Sequence, residues 1–381
     1  MRHPRLTVAG LLVLFAIAYG LYHRHVVRAA IAACDEWGDP GGLGAVALPT
    51  PLQGIEPSDA DTAASAAALI PSAAPGQDDG PTELWVGLRS MFVQAWPLVE
   101  GRVIGPQGQQ AVGWFLLDTG CSTTVLDAAW ARQIGLPVQE ARNARNGQRG
   151  LVRDVTVEVG PVPVTPRPTW CFDFEPFSRQ GGVHICGAVG SDFFATHPVK
   201  IDYTRRAIEV GSWTYSLPPA GEIITLPIFR VRSCPHFYVD LLQETGGADV
   251  GDDASNDPVR TDALIDTGFT GRMIISHTLA SSVGIVDEGD CGCRATMVTG
   301  PKEFRPARRV SASAGMGTGA GGGRAFSIAP GDAFVADVGG ESGGIDGIII
   351  GGEVLSKFGM MIVDYGKSRV VLGGAGIGPR Q

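Results

Sequence analysis

Residues 114–126 read WFLLDTGCSTTVL, and residues 263–275 read ALIDTGFTGRMII. Each is an apolar run into Asp-Thr-Gly, a polar step, and a return to apolar residues. The likeness continues downstream. The first copy is followed by Gly187-Ala188-Val189-Gly190-Ser191-Asp192-Phe193-Phe194, the second by Gly347-Ile348-Ile349-Ile350-Gly351-Gly352-Glu353-Val354-Leu355. Beyond these stand Lys200-Ile201-Asp202-Tyr203 and Ile362-Val363-Asp364-Tyr365, each leading into an apolar stretch. The spacings match closely. From Asp118 to Gly190 is 72 positions and from Asp266 to Gly351 is 85; a further 12 and 13 reach the Asp-Tyr pair. The Gly-rich tract from Ala312 to Arg324 fits the extra length of the second copy. Three landmarks in one order make an internal repeat. The repeat predicts two homologous lobes, residues 84–215 and 216–381.

The local pattern within the lobes is β. Val155 to Val159 and Arg206 to Val210 alternate or cluster β-formers. Gly105-Pro106 and Asn146-Gly147 are turn signals. Short helices are expected over Asp127 to Ile134 and His277 to Val283, each at a similar distance after its Asp-Thr-Gly.

Two carboxylates on equivalent loops point to one shared site. Gly lets the backbone approach closely, and each Thr can hydrogen-bond across a local twofold axis. Two carboxylates about 3 Å apart cannot both ionise, so they share a proton. The ionised partner can take a proton from water while the neutral one donates to a carbonyl oxygen. That is general acid–base hydrolysis of an amide with no covalent enzyme intermediate.

On these residues the chain resembles the aspartic proteases of the pepsin and retropepsin type, including bacterial retropepsin-like chains with two DTG motifs. The resemblance spans roughly 290 residues through three landmarks per lobe. It implies an all-β, bilobal acid-protease fold with a few short helices, and aspartic endopeptidase activity. It assigns the catalytic carboxylates to Asp118 and Asp266, the interlocking threonines to Thr119 and Thr267, and the carboxylate-holding glycines to Gly120 and Gly268. Ala188-Val189-Gly190 and Ile349-Ile350-Gly351 match the element that crosses behind each catalytic loop. Asp202 and Asp364 match a non-catalytic Asp-Tyr element and read as structural. No metal or organic cofactor is implied. The expected partner is a peptide or protein substrate, and one chain already holds both carboxylates, so no obligate dimer is needed. The alternative is a non-catalytic peptide- or protein-binding module on the same fold. The sequence departs from the family three residues after each Asp, where pepsins usually carry Ser or Thr and this chain has Cys121 and Phe269. Fewer hydroxyl donors favour the charged form less, so the expected working range is less acidic than a digestive pepsin's. The flap that closes over substrate is expected at Gly147, Gln148 and Arg149, a candidate hairpin tip.

The rest of the sequence is compatible with this reading. Of 381 residues, 44% are apolar, which is enough for packed cores, and 54 are Gly, which suits turn-rich β structure. Thirty basic against 39 acidic residues give a net charge of −9, which argues against nucleic-acid binding. Leu6 to Tyr22 are 17 uncharged, mostly apolar positions flanked by basic residues. They read as a single-pass membrane anchor or a signal segment within residues 1–33, with the catalytic part extracytoplasmic. Residues 34–83 are rich in Ala, Pro, Gly, Ser and Asp and read as a flexible linker. Cys171 and Cys186 are a candidate disulfide for an oxidising compartment. The Gly340 to Gly344 match to a serine-hydrolase elbow, the Gly317, Gly319 and Gly322 spacing, and Cys291-Gly292-Cys293 lack the surroundings their chemistry needs. Gly366-Lys367-Ser368 lacks the upstream Gly of a phosphate loop.

Overall fold

The computed structural model describes residues 85–140, 148–217, 223–243, 258–285, 293–297, 300–307, 310–314, 326–328, 333–336 and 347–373. The anchor or signal segment, the linker, Gly147, the acidic run Glu244 to Asp257, Cys291, most of the Gly-rich tract and the Gly340 to Gly344 motif lie outside the described residues. Among the described residues no helix is long and apolar enough to cross a membrane.

The described strands form two ten-stranded sheets and one six-stranded sheet. The two large sheets have the same strand order, with matching parallel and antiparallel neighbours. In the first, Gln110–Leu117 lies between Trp96–Ile104, antiparallel, and Ile185–Val189, parallel. In the second, Val259–Asp266 lies between Cys234–Gln243, antiparallel, and Ile348–Gly351, parallel. Register repeats too: Leu98 faces Leu116, and His236 faces Leu264. The expected all-β, bilobal, pepsin-like architecture is therefore present strand by strand.

Short helices Ala128–Gln133 and His277–Ser282 stand where the repeat predicts them. Each is started by a side-chain cap, Asp127 accepting from Trp130 N at 2.6 Å and Ser276 from Leu279 N at 3.2 Å. A further helix, Glu175–Gly181, is not foreshadowed by the repeat. It brings Phe174 and Phe177 onto Trp96 and Leu98.

The six-stranded sheet takes three strands from each lobe, in the order Trp85–Leu88, Ala207–Gly211, Val199–Asp202, Met360–Asp364, Arg369–Gly373, Ile223–Pro227. At its centre Lys200 faces Ile362. These two residues hold the same place in the two copies, so a local twofold axis passes between them. Val199, Ile201, Met361 and Val363 point into the apolar core that runs through both lobes. Alternation turns Lys200 and Ile362 to the outer face. There Ile362 packs with Tyr215 and Val371, and Lys200 Nζ sits 4.6 Å from the Trp85 ring centre. Tyr215 OH donates to Asp364 Oδ2 at 2.7 Å, tying the segment that leaves the first lobe onto the second. Asp202 accepts from Arg205 N and Asp364 from Lys367 N, at 2.7 and 2.9 Å, so both close turns, as expected. Gly366-Lys367-Ser368 forms the turn between two of these strands.

One expectation is corrected here. Cys171 and Cys186 are free and buried, not bonded. Their strands are separated by Val125–Asp127, which sets them about 10 Å apart, beyond disulfide reach. Of the flap residues expected, Gly147 lies outside the described residues, and Gln148 and Arg149 stand where the chain returns antiparallel to Gln139–Glu140. They open the strand Gln148–Val152, paired with Thr169–Phe172. Gln148 is buried there, and Arg149 pairs with Asp173 at 3.3 Å on the surface.

Candidate active site

In each lobe the strand ending in Asp-Thr-Gly is followed by a loop and a second strand. The later strand, Ile185–Val189 or Ile348–Gly351, inserts between the two. The loop must then arch over the end of the inserted strand. Asp118 N donates to Val189 O at 3.0 Å and Ser191 N to Cys121 O at 2.8 Å. In the second lobe Gly351 N donates to Arg272 O at 2.7 Å and Gly352 N to Phe269 O at 2.6 Å. Gly190 is required beneath its arch, because a Cβ there would sit 2.5 Å from Thr123 O and 2.8 Å from Cys121 O. The apolar-apolar-Gly element thus braces each Asp-Thr-Gly loop from behind.

The two arches meet at the local twofold axis. Thr119 N donates to Thr267 Oγ1 at 3.0 Å, and Thr267 N to Thr119 Oγ1 at 3.1 Å. Each hydroxyl then donates to a backbone carbonyl of the opposite lobe, Thr119 to Ile265 at 2.7 Å and Thr267 to Leu117 at 2.6 Å. Both threonines are fully buried, and the lock is reciprocal.

The carboxyls lie just in front of this lock. Asp118 Oδ1 accepts from Gly120 N at 2.8 Å. Asp266 Oδ1 accepts from Gly268 N at 2.9 Å and Phe269 N at 3.1 Å. Each glycine also lies against the opposite carboxyl. A Cβ on Gly120 would fall 2.7 Å from Asp266 Oδ2, and one on Gly268 would fall 2.5 Å from Asp118 Oδ2. All six residues named from the sequence therefore converge on one place.

Both carboxyls are buried. Burial, then the charge of Asp118 and a hydrogen bond with its carboxyl, hold Asp266 well above the ordinary carboxylate range; the N–H groups of Phe269 and Gly268 oppose the rise. This is the condition under which two carboxyls hold one proton between them. The residues three positions on supply no hydroxyl. Cys121 Sγ turns to Thr123 O at 2.8 Å, and Phe269 packs with Leu264, Ile274 and Ile349. Burial and the neighbouring Asp118 push the Cys121 thiol far up, and the same causes push Cys234 up to about 12. Both are thiols, not thiolates, and so are poor nucleophiles.

Four further residues of the site were not singled out by sequence reasoning. Asp192 accepts from Thr123 Oγ1 at 2.9 Å, Thr124 N at 2.9 Å and Thr124 Oγ1 at 2.6 Å, pinning the first arch to the segment behind it. Its counterpart Glu353 pairs with Arg272 at 2.6 Å. An acidic residue two places after Gly190 and after Gly351 is the signal that would have revealed both. Trp96 Nε1 donates to Gly268 O at 2.8 Å and Cys234 Sγ to Gly120 O at 3.1 Å, each across the lobe boundary. Tryptophan and cysteine share no side-chain chemistry, so the repeat does not betray them as a pair.

Among the described residues no group of His, Cys, Asp and Glu could hold a metal ion. No family model matches the chain, and no curated protein does. Among solved structures it is similar to basic 7S globulin from soybean, at 11% identity and a TM-score of 0.40, over 76% of this chain and 94% of that one. It is also similar to an aspartic proteinase from Irpex lacteus, at 14% identity and a TM-score of 0.40, over 76% and 97%. The fold itself rests on the strand order and register described above.

Proposed function

We propose that the chain is an aspartic endopeptidase in which Asp118 and Asp266 activate a water molecule for attack on a peptide carbonyl. The observation that carries this reading is the buried, facing pair of carboxyls held by a reciprocal threonine lock. One carboxyl, ionised, takes a proton from water. The other, neutral, donates to the carbonyl oxygen as the tetrahedral carbon forms. The carboxyl that took the water proton then gives it to the leaving nitrogen as the C–N bond breaks, and the other carboxylate takes a proton from a hydroxyl of the tetrahedral carbon, so the pair again holds one proton. Burial keeps bulk water from screening the single negative charge of the pair and strengthens each interaction. One chain supplies both carboxyls, so no second copy completes the site. In the same reading the N-terminal apolar run anchors the chain, with the catalytic part outside the cytoplasm, acting on peptide or protein.

The test is incubation of the full chain with a diverse peptide library from pH 3 to 7, beside Asp118→Asn and Asp266→Asn. Cleavage by the parent that both variants lose supports the reading. A folded parent that binds peptides and cuts none overturns it in favour of a binding module. Maximal activity below about pH 3, as for an extreme acid protease, would contradict the role given to Cys121 and Phe269. Gly268→Ala should lower kcat by about 10²-fold with little change in fold, because its methyl group displaces the Asp118 carboxyl from its partner.

A further inference from the structure

The far side of each catalytic loop is held by a donor from the opposite lobe. Trp96 opens the strand Trp96–Ile104 and Cys234 opens Cys234–Gln243; each is followed by proline, Pro97 or Pro235. The matched register of these strands puts Trp96 and Cys234 at equivalent points. The fold is symmetric here and the chemistry is not. The indole N–H is a full-strength donor, and it reaches Gly268 O at 2.8 Å. A thiol is a weak donor, and it reaches Gly120 O at 3.1 Å.

The carbonyl that Trp96 engages belongs to the Gly268–Phe269 peptide. The other end of that peptide, Phe269 N–H, donates to Asp266 Oδ1 at 3.1 Å. A donor on an amide oxygen polarises the amide and makes its N–H a better donor. In the first lobe the matching N–H, that of Cys121, turns to the backbone oxygen of Asp118 at 3.3 Å. The polarised path to a carboxylate therefore runs from Trp96 to Asp266.

We propose that Trp96 is a positioning residue for the catalytic pair, strengthening the Phe269 donor on Asp266 and so setting where the pair gives up the proton that Asp266 holds. This rests on the protease reading for its role in turnover, but not for its effect on ionisation. The titratable and charged groups facing Asp266 and its partner are Asp118 across the axis, the thiols of Cys121 and Cys234, and the Tyr365 hydroxyl. Further out lie Asp192, Arg230, Arg232 and the Arg272–Glu353 pair. Removing the indole N–H weakens stabilisation of the Asp266 anion, so the second proton of the pair, the one Asp266 holds, leaves at higher pH.

Trp96 is also buried against Phe177, with ring centres 6.3 Å apart, so a stability loss alone says nothing about ionisation. The deciding measurement is carboxyl carbon NMR of the full chain with labelled Asp, the pair being assigned by its loss in Asp118→Asn and Asp266→Asn. In Trp96→Phe the second midpoint of the pair should rise by about half a pH unit. The alkaline limb of kcat/KM should move with it, with kcat changing more than KM. A midpoint that stays at the parent value overturns the proposal. Should Trp96→Phe not fold, the parent grown on fluorotryptophan replaces it. Its indole N–H is a stronger donor of nearly the same size, so the midpoint should fall, and an unmoved midpoint again overturns the proposal. A parent that cleaves no peptide but titrates as described sinks the protease reading and leaves this inference standing.

Discussion

Asp266→Asn should abolish peptide cleavage and yet raise the melting temperature at neutral pH. The loss of activity follows from the acid–base roles, since an amide can neither take up a proton nor give one up at working pH. A fall in kcat/KM of about 10²–10⁴-fold is expected from losing such a group. The gain in stability follows from burial. Asp266 is wholly buried, and burial together with Asp118 lifts its carboxyl well above the ordinary value of 3.8. The folded chain therefore holds this proton to higher pH than the unfolded chain does. Between the ordinary value and the raised one, the folded state binds more protons, so stability is full below that window and falls as pH rises through it. Asn carries no such proton. Thermal unfolding scans should give similar midpoints for the two chains below about pH 3.8, then a widening advantage for Asn up to pH 7. A variant less stable than the parent at pH 7 would show that the buried charge is compensated in a way the geometry does not contain.

Thr267→Val should cost about 2–5 kcal/mol of stability, a large loss for a change that hardly alters side-chain volume. The hydroxyl accepts from Thr119 N at 3.0 Å and donates to Leu117 O at 2.6 Å. Valine fills the same space and leaves both of those buried backbone groups without a partner, at about 1–3 kcal/mol each. Thr119→Val should behave alike through Ile265 O and Thr267 N. The two hydroxyls lie 3.4 Å apart, so the double variant should lose less than the sum of the singles. Urea unfolding midpoints read the effect, and Thr267→Ser, which keeps the hydroxyl, is the comparison. A cost below about 1 kcal/mol would mean that water replaces the lock. Activity should fall with stability, because the lock fixes the distance between the carboxyls.

The fold and the centre of the site were legible because both are written in repeated short-range signals. Asp-Thr-Gly after an apolar strand, Gly190 and Gly351 behind it, and the Asp-Tyr strands recur with their chemistry intact. Each of those positions is constrained by backbone: a Cβ at Gly190 or Gly268 would strike a neighbouring loop. What was not legible depends on side chains meeting across the lobes. Trp96 and Gly268 are 172 positions apart, and the place that Trp96 holds is filled by Cys234 in the other copy. The helix Glu175–Gly181 has no signature in the second copy to compare with. The disulfide reading of Cys171 and Cys186 failed because sequence separation hides the intervening strand Val125–Asp127. The turn signal behind the flap reading, Asn146-Gly147, lies outside the described residues, between the antiparallel strands Gln139–Glu140 and Gln148–Val152.

The axial pair in the six-stranded sheet bears on which halves can join through it. Two copies of the first half, joined through Val199–Asp202 in the same register, would set one Lys200 directly against another. Like charges facing each other across a sheet are destabilising. Joining unlike halves instead sets that lysine against Ile362. A single substitution on the axis thus penalises self-association of the first half and favours its union with the second. The unlike pair on the axis is in effect a rule of exclusive pairing.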